Sequence, residues 1–153
     1  LMNLGIMKKN LEKKVKKTGM TEDVVIAGYL GGKDLLCAYL CADIFILPSF
    51  CELQSIATME AMAMRTTVLV ARNEGNAAQE LVKEGINGYT FGLEDTGEAV
   101  DKIIRILSDK ELKRTMKEES LKAIQEHSIE ESISKLERIY QDLIKRKTKS
   151  RNG

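Results

Sequence analysis

The stretch that decides the fold is Leu47-Pro48-Ser49-Phe50-Cys51-Glu52-Leu53-Gln54-Ser55-Ile56-Ala57-Thr58-Met59-Glu60-Ala61-Met62-Ala63. It continues the apolar run Asp43-Ile44-Phe45-Ile46, stops at the chain's only proline, crosses a short polar loop and enters a helical pattern near Gln54 or Ser55. Working outward, Val24-Val25-Ile26-Ala27 and Thr67-Val68-Leu69-Val70-Ala71 are runs of the same β-branched kind. All three read as strands buried on both faces, as in a parallel sheet. Residues 7–17, 33–41 and 55–64 read as helices between them. This alternation implies right-handed crossovers and a doubly wound parallel α/β domain. Such sheets bind ligands beyond the carboxyl ends of their strands. Here those ends carry Gly28-Tyr29-Leu30-Gly31-Gly32, Pro48-Ser49-Phe50-Cys51-Glu52 and Arg72-Asn73-Glu74-Gly75-Asn76.

Downstream, a turn at Glu84-Gly85-Ile86-Asn87-Gly88 precedes a short strand, Tyr89-Thr90-Phe91, and the pattern then becomes helical. Ala99, Val100, Ile103, Ile104, Ile106 and Leu107 form one apolar stripe. Ser108 with Glu111, and Ser128 with Glu131, have capping-box spacing and predict two helix starts. The last helix puts Ile133, Leu136, Ile139, Tyr140 and Leu143 on one side and runs into the basic segment Lys145-Arg146-Lys147-Thr148-Lys149-Ser150-Arg151. We divide the chain into a domain at residues 1–144 and a frayed basic tail at 145–153. The tail fits a solvated helix end that complements the helix dipole, and equally a contact with an anionic membrane surface.

The 153 residues suit one domain, and 43% hydrophobic with 31% charged residues describes a globular chain. Lys plus Arg at 24 against Asp plus Glu at 23 leaves a net charge of +1, so no global field draws the chain to nucleic acid. Its apolar runs are far short of the roughly 20 residues that span a bilayer. One histidine and three cysteines lack the spacing of a zinc site, and no metal is expected. Cys37, Cys41 and Cys51 are odd in number and lie in apolar context, which reads as reduced, buried thiols in a cytoplasmic protein. The opening Leu1-Met2-Asn3-Leu4-Gly5 reads as an entry into the middle of a strand of a longer protein.

The chemistry concentrates in the quoted stretch. The first turn of a helix offers unpaired N–H groups and a positive dipole end, a natural seat for phosphate. Glu52 stands in the loop before that turn. Glu60 lies about two turns along and interrupts a small apolar surface made of Ile56, Ala57, Met59, Ala61 and Ala63, where a carboxylate needs a partner. Two carboxylates flanking a phosphate-binding helix start suit the hydroxyls on either side of a nucleotide-sugar diphosphate. A solvated or ion-paired glutamate is the plainer alternative.

The run Pro48-Ser49, Glu52, seven residues, then Glu60-Ala61-Met62-Ala63 resembles the E-x7-E signature of the retaining glycosyltransferases of family 4, which have the GT-B fold. The flanks agree. Residues 3–11 resemble the turn and helix after the second strand of the family's carboxyl-terminal domain, and Val25-Ile26-Ala27-Gly28-Tyr29-Leu30 its next strand and loop. Tyr39 and Ala42-Asp43 match its "Y-x-x-A-D" region loosely, while Glu80-Leu81-Val82 with Gly85-Ile86-Asn87-Gly88 fits its "E-L-V-x-x-G-x-N-G" element.

The resemblance implies a Rossmann-like half of a GT-B enzyme with additional carboxyl-terminal helices. It implies transfer of a sugar from a nucleotide-sugar, with a UDP-sugar as the default, to an acceptor hydroxyl with retention and without a metal or other cofactor. Glu52 corresponds to the glutamate near the reacting carbon, and Leu53, Gln54, Ser55 and Ile56 to the segment around sugar and diphosphate. Glu60 corresponds to the glutamate on the ribose hydroxyls, and Gly28, Tyr29 and Leu30 to the border of the base. A packed loop aromatic is the other reading of Tyr29. The amino-terminal acceptor domain and the family's diphosphate-binding arginine and lysine would lie upstream of Leu1, so the chain alone is expected to be inactive. The resemblance also suits a glycolipid or cell-envelope acceptor at the membrane periphery, with the basic tail as support. Three departures stand out: Met64-Arg65-Thr66-Thr67 where a glycine and a proline are usual, Leu53-Gln54-Ser55-Ile56 in place of a "G-F-G" type run, and Asn3-Leu4-Gly5-Ile6 in place of "G-D-G-P". A non-catalytic nucleotide-binding regulatory module of the same fold is the alternative, with a non-hydrolysing epimerase as a weaker third.

Overall fold

A computed structural model describes residues 7–151; Asn3 and the expected strand opening at Leu1 lie outside the described residues. The chain divides into two compact units, residues 1–38 and 39–153. In the first, α1 (Lys8–Lys17) ends in a turn where Gly19 has φ +71° and Met20 N–H donates to Val15 O at 3.1 Å. Residues 24–27 lie outside the described sheet, and Val25 is 73% exposed. β-branched residues favour extended backbone, but a strand is defined by its ladder, so composition alone overstates this segment. Gly28 is buried with φ +74°, a left-handed conformation natural to glycine. Helix α2 (Gly32–Cys41) runs across the division, and its buried residue, Tyr39, belongs to the second unit.

In the second unit, β1 (Ile44–Leu47), β2 (Thr67–Arg72) and β3 (Gly88–Gly92) form a parallel sheet in that order. Ile44 pairs with Thr67 and Leu47 with Val70; Val68 pairs with Gly88 and Arg72 with Gly92. The central β2 is buried along Thr67 to Ala71, as a strand covered on both faces should be. β1 is only half buried and Ile46 is 42% exposed, because a strand with one described neighbour lacks that cover. Helix α3 (Ile56–Ala63) buries Thr58, Ala61 and Met62. Leu69, Ala71, Tyr89 and Phe91 make a core with Ile106 of α4 (Thr96–Ser108) and Met116 of α5 (Lys110–Gln125), edged by Ile44, Leu93, Ala99, Ile103 and Leu112. Gly88 is dictated by close approach, since a Cβ there would lie 2.3 Å from Val68 O.

Further expectations change. The cap of α5 is Asp109, whose carboxylate accepts from Leu112 N–H at 2.9 Å. Ser108 is still helical and its hydroxyl donates back to Ile104 O, so it cannot serve. Ser128 makes half of its box, accepting from Glu131 N–H at 3.2 Å, while the Glu131 carboxylate pairs with Arg138. The cysteines are free but exposed. On α2, Cys37 and Cys41 each lie about 200° around the helix from Tyr39, opposite its buried side. Finally, α6 (Ile129–Arg151) stays helical through the basic segment, and its apolar residues Ile133, Leu136, Ile139, Tyr140 and Leu143 remain 50–58% exposed.

Candidate functional site

The parallel pairing of β1 and β2 brings their outgoing loops together at one end of the sheet. Beyond the strands the ladder resumes for one pair, Glu52 with Asn76. Glu52 N–H donates to Gly75 O at 3.0 Å, and Ala77 N–H donates to Glu52 O at 2.9 Å. The side chain of Asn76 is fully buried beneath this bridge. Its Nδ2 donates to Ala71 O at 2.8 Å and Ser49 O at 3.2 Å, and its Oδ1 accepts from Ala78 N–H at 3.0 Å. Asn73 Nδ2 reaches the same Ser49 carbonyl at 3.3 Å. The loop after β1 is therefore hung on the loop after β2, and the backbone of half-buried Glu52 is held at both N–H and C=O.

Leu53, 92% exposed, and Gln54 then project toward solvent. The chain turns into α3 at Ser55, which is buried and left-handed at φ +50°, ψ +67°. Its hydroxyl bonds that of Thr58 at 2.7 Å, and its carbonyl accepts from Thr58 N–H at 3.0 Å and Met59 N–H at 3.2 Å. Ser55 thus starts the helix without a side-chain cap, so the first turn, where Ile56 is 66% exposed, keeps its positive end for an anion.

Glu60, half buried on α3, meets the Tyr39 hydroxyl, which donates to Oε2 at 3.4 Å. Tyr39 is 4% exposed. Its ring packs edge-on to Phe45, with centroids 5.7 Å apart, and its carbonyl accepts from Thr66 Oγ1 at 2.7 Å. Burial, and then the Glu60 charge, push the Tyr39 hydroxyl above its usual pKa, so it stays protonated as a donor. At the far end of α3 the chain makes a Schellman turn: Arg65 N–H donates to Met62 O at 3.0 Å and Thr66 N–H to Ala61 O at 2.9 Å. Arg65 occupies the left-handed position at φ +57°, where glycine is usual.

Of the expected site residues, Glu52, Leu53, Gln54, Ser55, Ile56 and Glu60 thus run from the sheet's loop end into α3. Gly28, Tyr29 and Leu30 belong to the first unit. There Tyr29 is 77% exposed, with its ring against Gly31, where a Cβ would lie 2.8 Å from the hydroxyl oxygen. Asn76 and the Tyr39 contact were not found from spacing. The turn residues at 73–76 hinted at the first, and no local signal marks the second. Among the described residues no group of His, Cys, Asp and Glu could hold a metal, and no helix is long and apolar enough to cross a membrane.

The fold is the α/β architecture of GT-B glycosyltransferases. A sucrose-phosphate synthase from Thermosynechococcus elongatus superimposes with a TM-score of 0.78 at 23% identity, over 92% of this chain and 35% of that one. Anabaena Alr3699/HepE, solved in complex with UDP, does so with a TM-score of 0.73 at 22% identity, over 90% and 36%. The family model for glycosyl transferases group 1 matches residues 4–123, and the chain belongs to that family. The sulfoquinovosyl transferase SQD2 of Arabidopsis thaliana is 34% identical over 110 residues, which is 70% of this chain and 20% of that protein. The chain therefore spans about a fifth of that relative's length and about a third of each of those two solved chains.

Proposed function

We propose that this chain is the carboxyl-terminal, donor-binding domain of a retaining family 4 glycosyltransferase that moves a sugar from a UDP-sugar to an acceptor hydroxyl. The observation that carries the reading is the placing of Glu52 and Glu60 on either side of an uncapped helix start, at the carboxyl end of a parallel strand. In this reading the first turn of α3 holds the diphosphate, and Glu60 accepts from the ribose hydroxyls. Glu52 faces the donor sugar near the anomeric carbon, with Leu53, Gln54, Ser55 and Ile56 around it. Gly28, Tyr29 and Leu30, in the first unit, are assigned to the base by the family resemblance alone. The transition state has oxocarbenium character and sheds negative charge onto the leaving diphosphate, which a preorganised helix start stabilises without a metal. The UDP bound by the Anabaena neighbour supports this nucleotide as the first to try.

The acceptor side and further cations for the diphosphate belong, in this reading, to a companion domain. The chain by itself binds donor and does not turn it over. A cytoplasmic enzyme working on a glycolipid at the membrane periphery fits the basic end of α6.

Ligand-observed NMR of the chain with UDP-, GDP- and ADP-glucose tests the reading, with Glu60→Ala as control. The expected result is selective binding of UDP-glucose, weakened about 10- to 100-fold in Glu60→Ala, the range for loss of a charged hydrogen bond. Binding of none of the three, or binding indifferent to Glu60→Ala, overturns it.

A further inference from the structure

We propose that Tyr39 is a positioning residue for Glu60, holding one carboxylate oxygen so that the other is presented to the ribose hydroxyls of a nucleotide. The inference rests on the donor-site reading above and adds to it a residue outside the Glu52 to Glu60 segment.

Glu60 rises from a helix face of small and apolar side chains, so its own helix offers nothing to fix its rotamer. Tyr39, 21 residues earlier in the chain, supplies the constraint through the 3.4 Å contact to Oε2. No partner for Oε1 is recorded among the described residues. Tyr39 is itself immobilised, by burial to 4%, by the edge-on packing of Phe45 and by the Thr66 hydroxyl on its carbonyl. A donor held by burial and ring packing, on a backbone anchored by Thr66, and aimed at a half-buried carboxylate is the arrangement by which a supporting residue orients one that touches ligand. The contact is long for a hydroxyl donor, and contacts of this kind tighten when a ligand fills the site.

The test compares UDP with 2′,3′-dideoxy-UDP, by titration calorimetry on wild type and Tyr39→Phe. Phenylalanine keeps the ring, its packing on Phe45 and the backbone carbonyl, and loses only the donor. Tyr39→Phe should weaken UDP about five- to tenfold and leave dideoxy-UDP unchanged, because only UDP offers the hydroxyls that Glu60 reads. In a Glu60→Ala background, which leaves the Tyr39 hydroxyl no acceptor at position 60, the same change should have no further effect on UDP. Equal weakening of both ligands would mark Tyr39 as a packing residue and overturn the proposal, as would no change in either. If wild type binds no UDP, or binds both ligands equally, the donor-site reading itself falls and this inference with it. Should Tyr39→Phe not fold, 3-fluorotyrosine at position 39 keeps the shape and strengthens the donor. It should tighten UDP and leave dideoxy-UDP unchanged, and no tightening overturns the proposal.

Discussion

Lys102 Nζ lies 2.6 Å from the carbonyl oxygen of Thr90, so a side chain from α4 closes the outer edge of β3. The rest of that edge is closed in kind. Glu84 accepts from Thr90 N–H at 2.8 Å, Glu98 accepts from Gly92 N–H at 2.7 Å, and Gly85 N–H donates to Gly88 O at 2.9 Å. The ammonium also reaches Glu84 and Glu98, each at 2.8 Å, which uses all three of its donors. An open strand edge is a template for another chain, and here charged side chains from α4 and from the loop before β3 cover it.

Lys102→Met keeps the aliphatic stem and removes those donors. It should lower unfolding free energy by about 1–2 kcal/mol, the scale of a charged hydrogen bond lost at a buried carbonyl, and raise self-association. Urea denaturation and sedimentation check the two effects together. An unchanged midpoint would mean that solvent replaces the ammonium without loss.

The same edge sets an acid limit. The Lys102 ammonium, and then the Gly92 N–H, hold the Glu98 carboxyl down at about 2, below its ordinary 4.5. Burial pushes Glu84 up, but Lys102 and the Thr90 N–H outweigh it and leave it lowered. A depressed carboxylate contributes stability that is fully present above its unfolded pKa and is lost as pH falls through the folded one. The urea midpoint should therefore drop as pH falls from about 4.5 toward about 2, and the drop should flatten in Lys102→Met.

Two glycines should differ in a set order. Gly88→Ala pushes a Cβ to 2.3 Å from Val68 O inside the β2–β3 ladder, and should cost roughly 3 kcal/mol or more. Gly85→Ala meets nothing nearer than 3.9 Å and suffers only from its φ of +74°, which costs about 1 kcal/mol. Thermal melts of both variants test the ranking.

Arg65→Gly should stabilise the chain by about 0.5–1 kcal/mol. The left-handed turn after α3 costs an ordinary residue about 1–2 kcal/mol, partly offset by the greater freedom of glycine when unfolded. Arg65→Ala relieves nothing and should not raise the midpoint. A rise with alanine as large as with glycine would mean that the guanidinium, and not the backbone, is the source.

Asn76→Ala strips the buried support from the Glu52 loop. The Ala71 carbonyl and the Ala78 N–H lose this partner, while the Ser49 carbonyl keeps Asn73, so a loss of about 2 kcal/mol is expected. Hydrogen exchange at Glu52 and Ala77 should rise in the variant, and unaltered protection there would show that the bridge stands without the side chain.

Legibility in the sequence follows the range of the forces involved. The strands at 67–72 and 88–92 and the helix after Ser55 are readable, because apolar runs, the lone proline and turn residues act over a few positions. Composition at residues 24–27 speaks for extended backbone and is silent on ladders. Ser108 and Asp109 are adjacent capping candidates, and only the backbone decides which N–H faces which oxygen. The left-handed Ser55 follows from a hydroxyl pair with Thr58 that spacing does not announce. The Tyr39 to Glu60 contact joins residues 21 apart, and no periodic pattern encodes it. Exposure of Cys37 and Cys41 is hidden because residue type speaks for burial, and their shared helical face does not say that α2 buries the opposite side, at Tyr39.

The bridge between Glu52 and Asn76 separates two tasks that a binding loop usually performs together. Main-chain bonds to a neighbouring loop decide where the acidic group stands, and outward side chains at Leu53 and Gln54 decide what surrounds it. The second can be rewritten while the first is kept. Such a loop can change the side chains around its acidic group over many substitutions without losing its anchor, and variation at positions 53 and 54 comes at little expense to the fold.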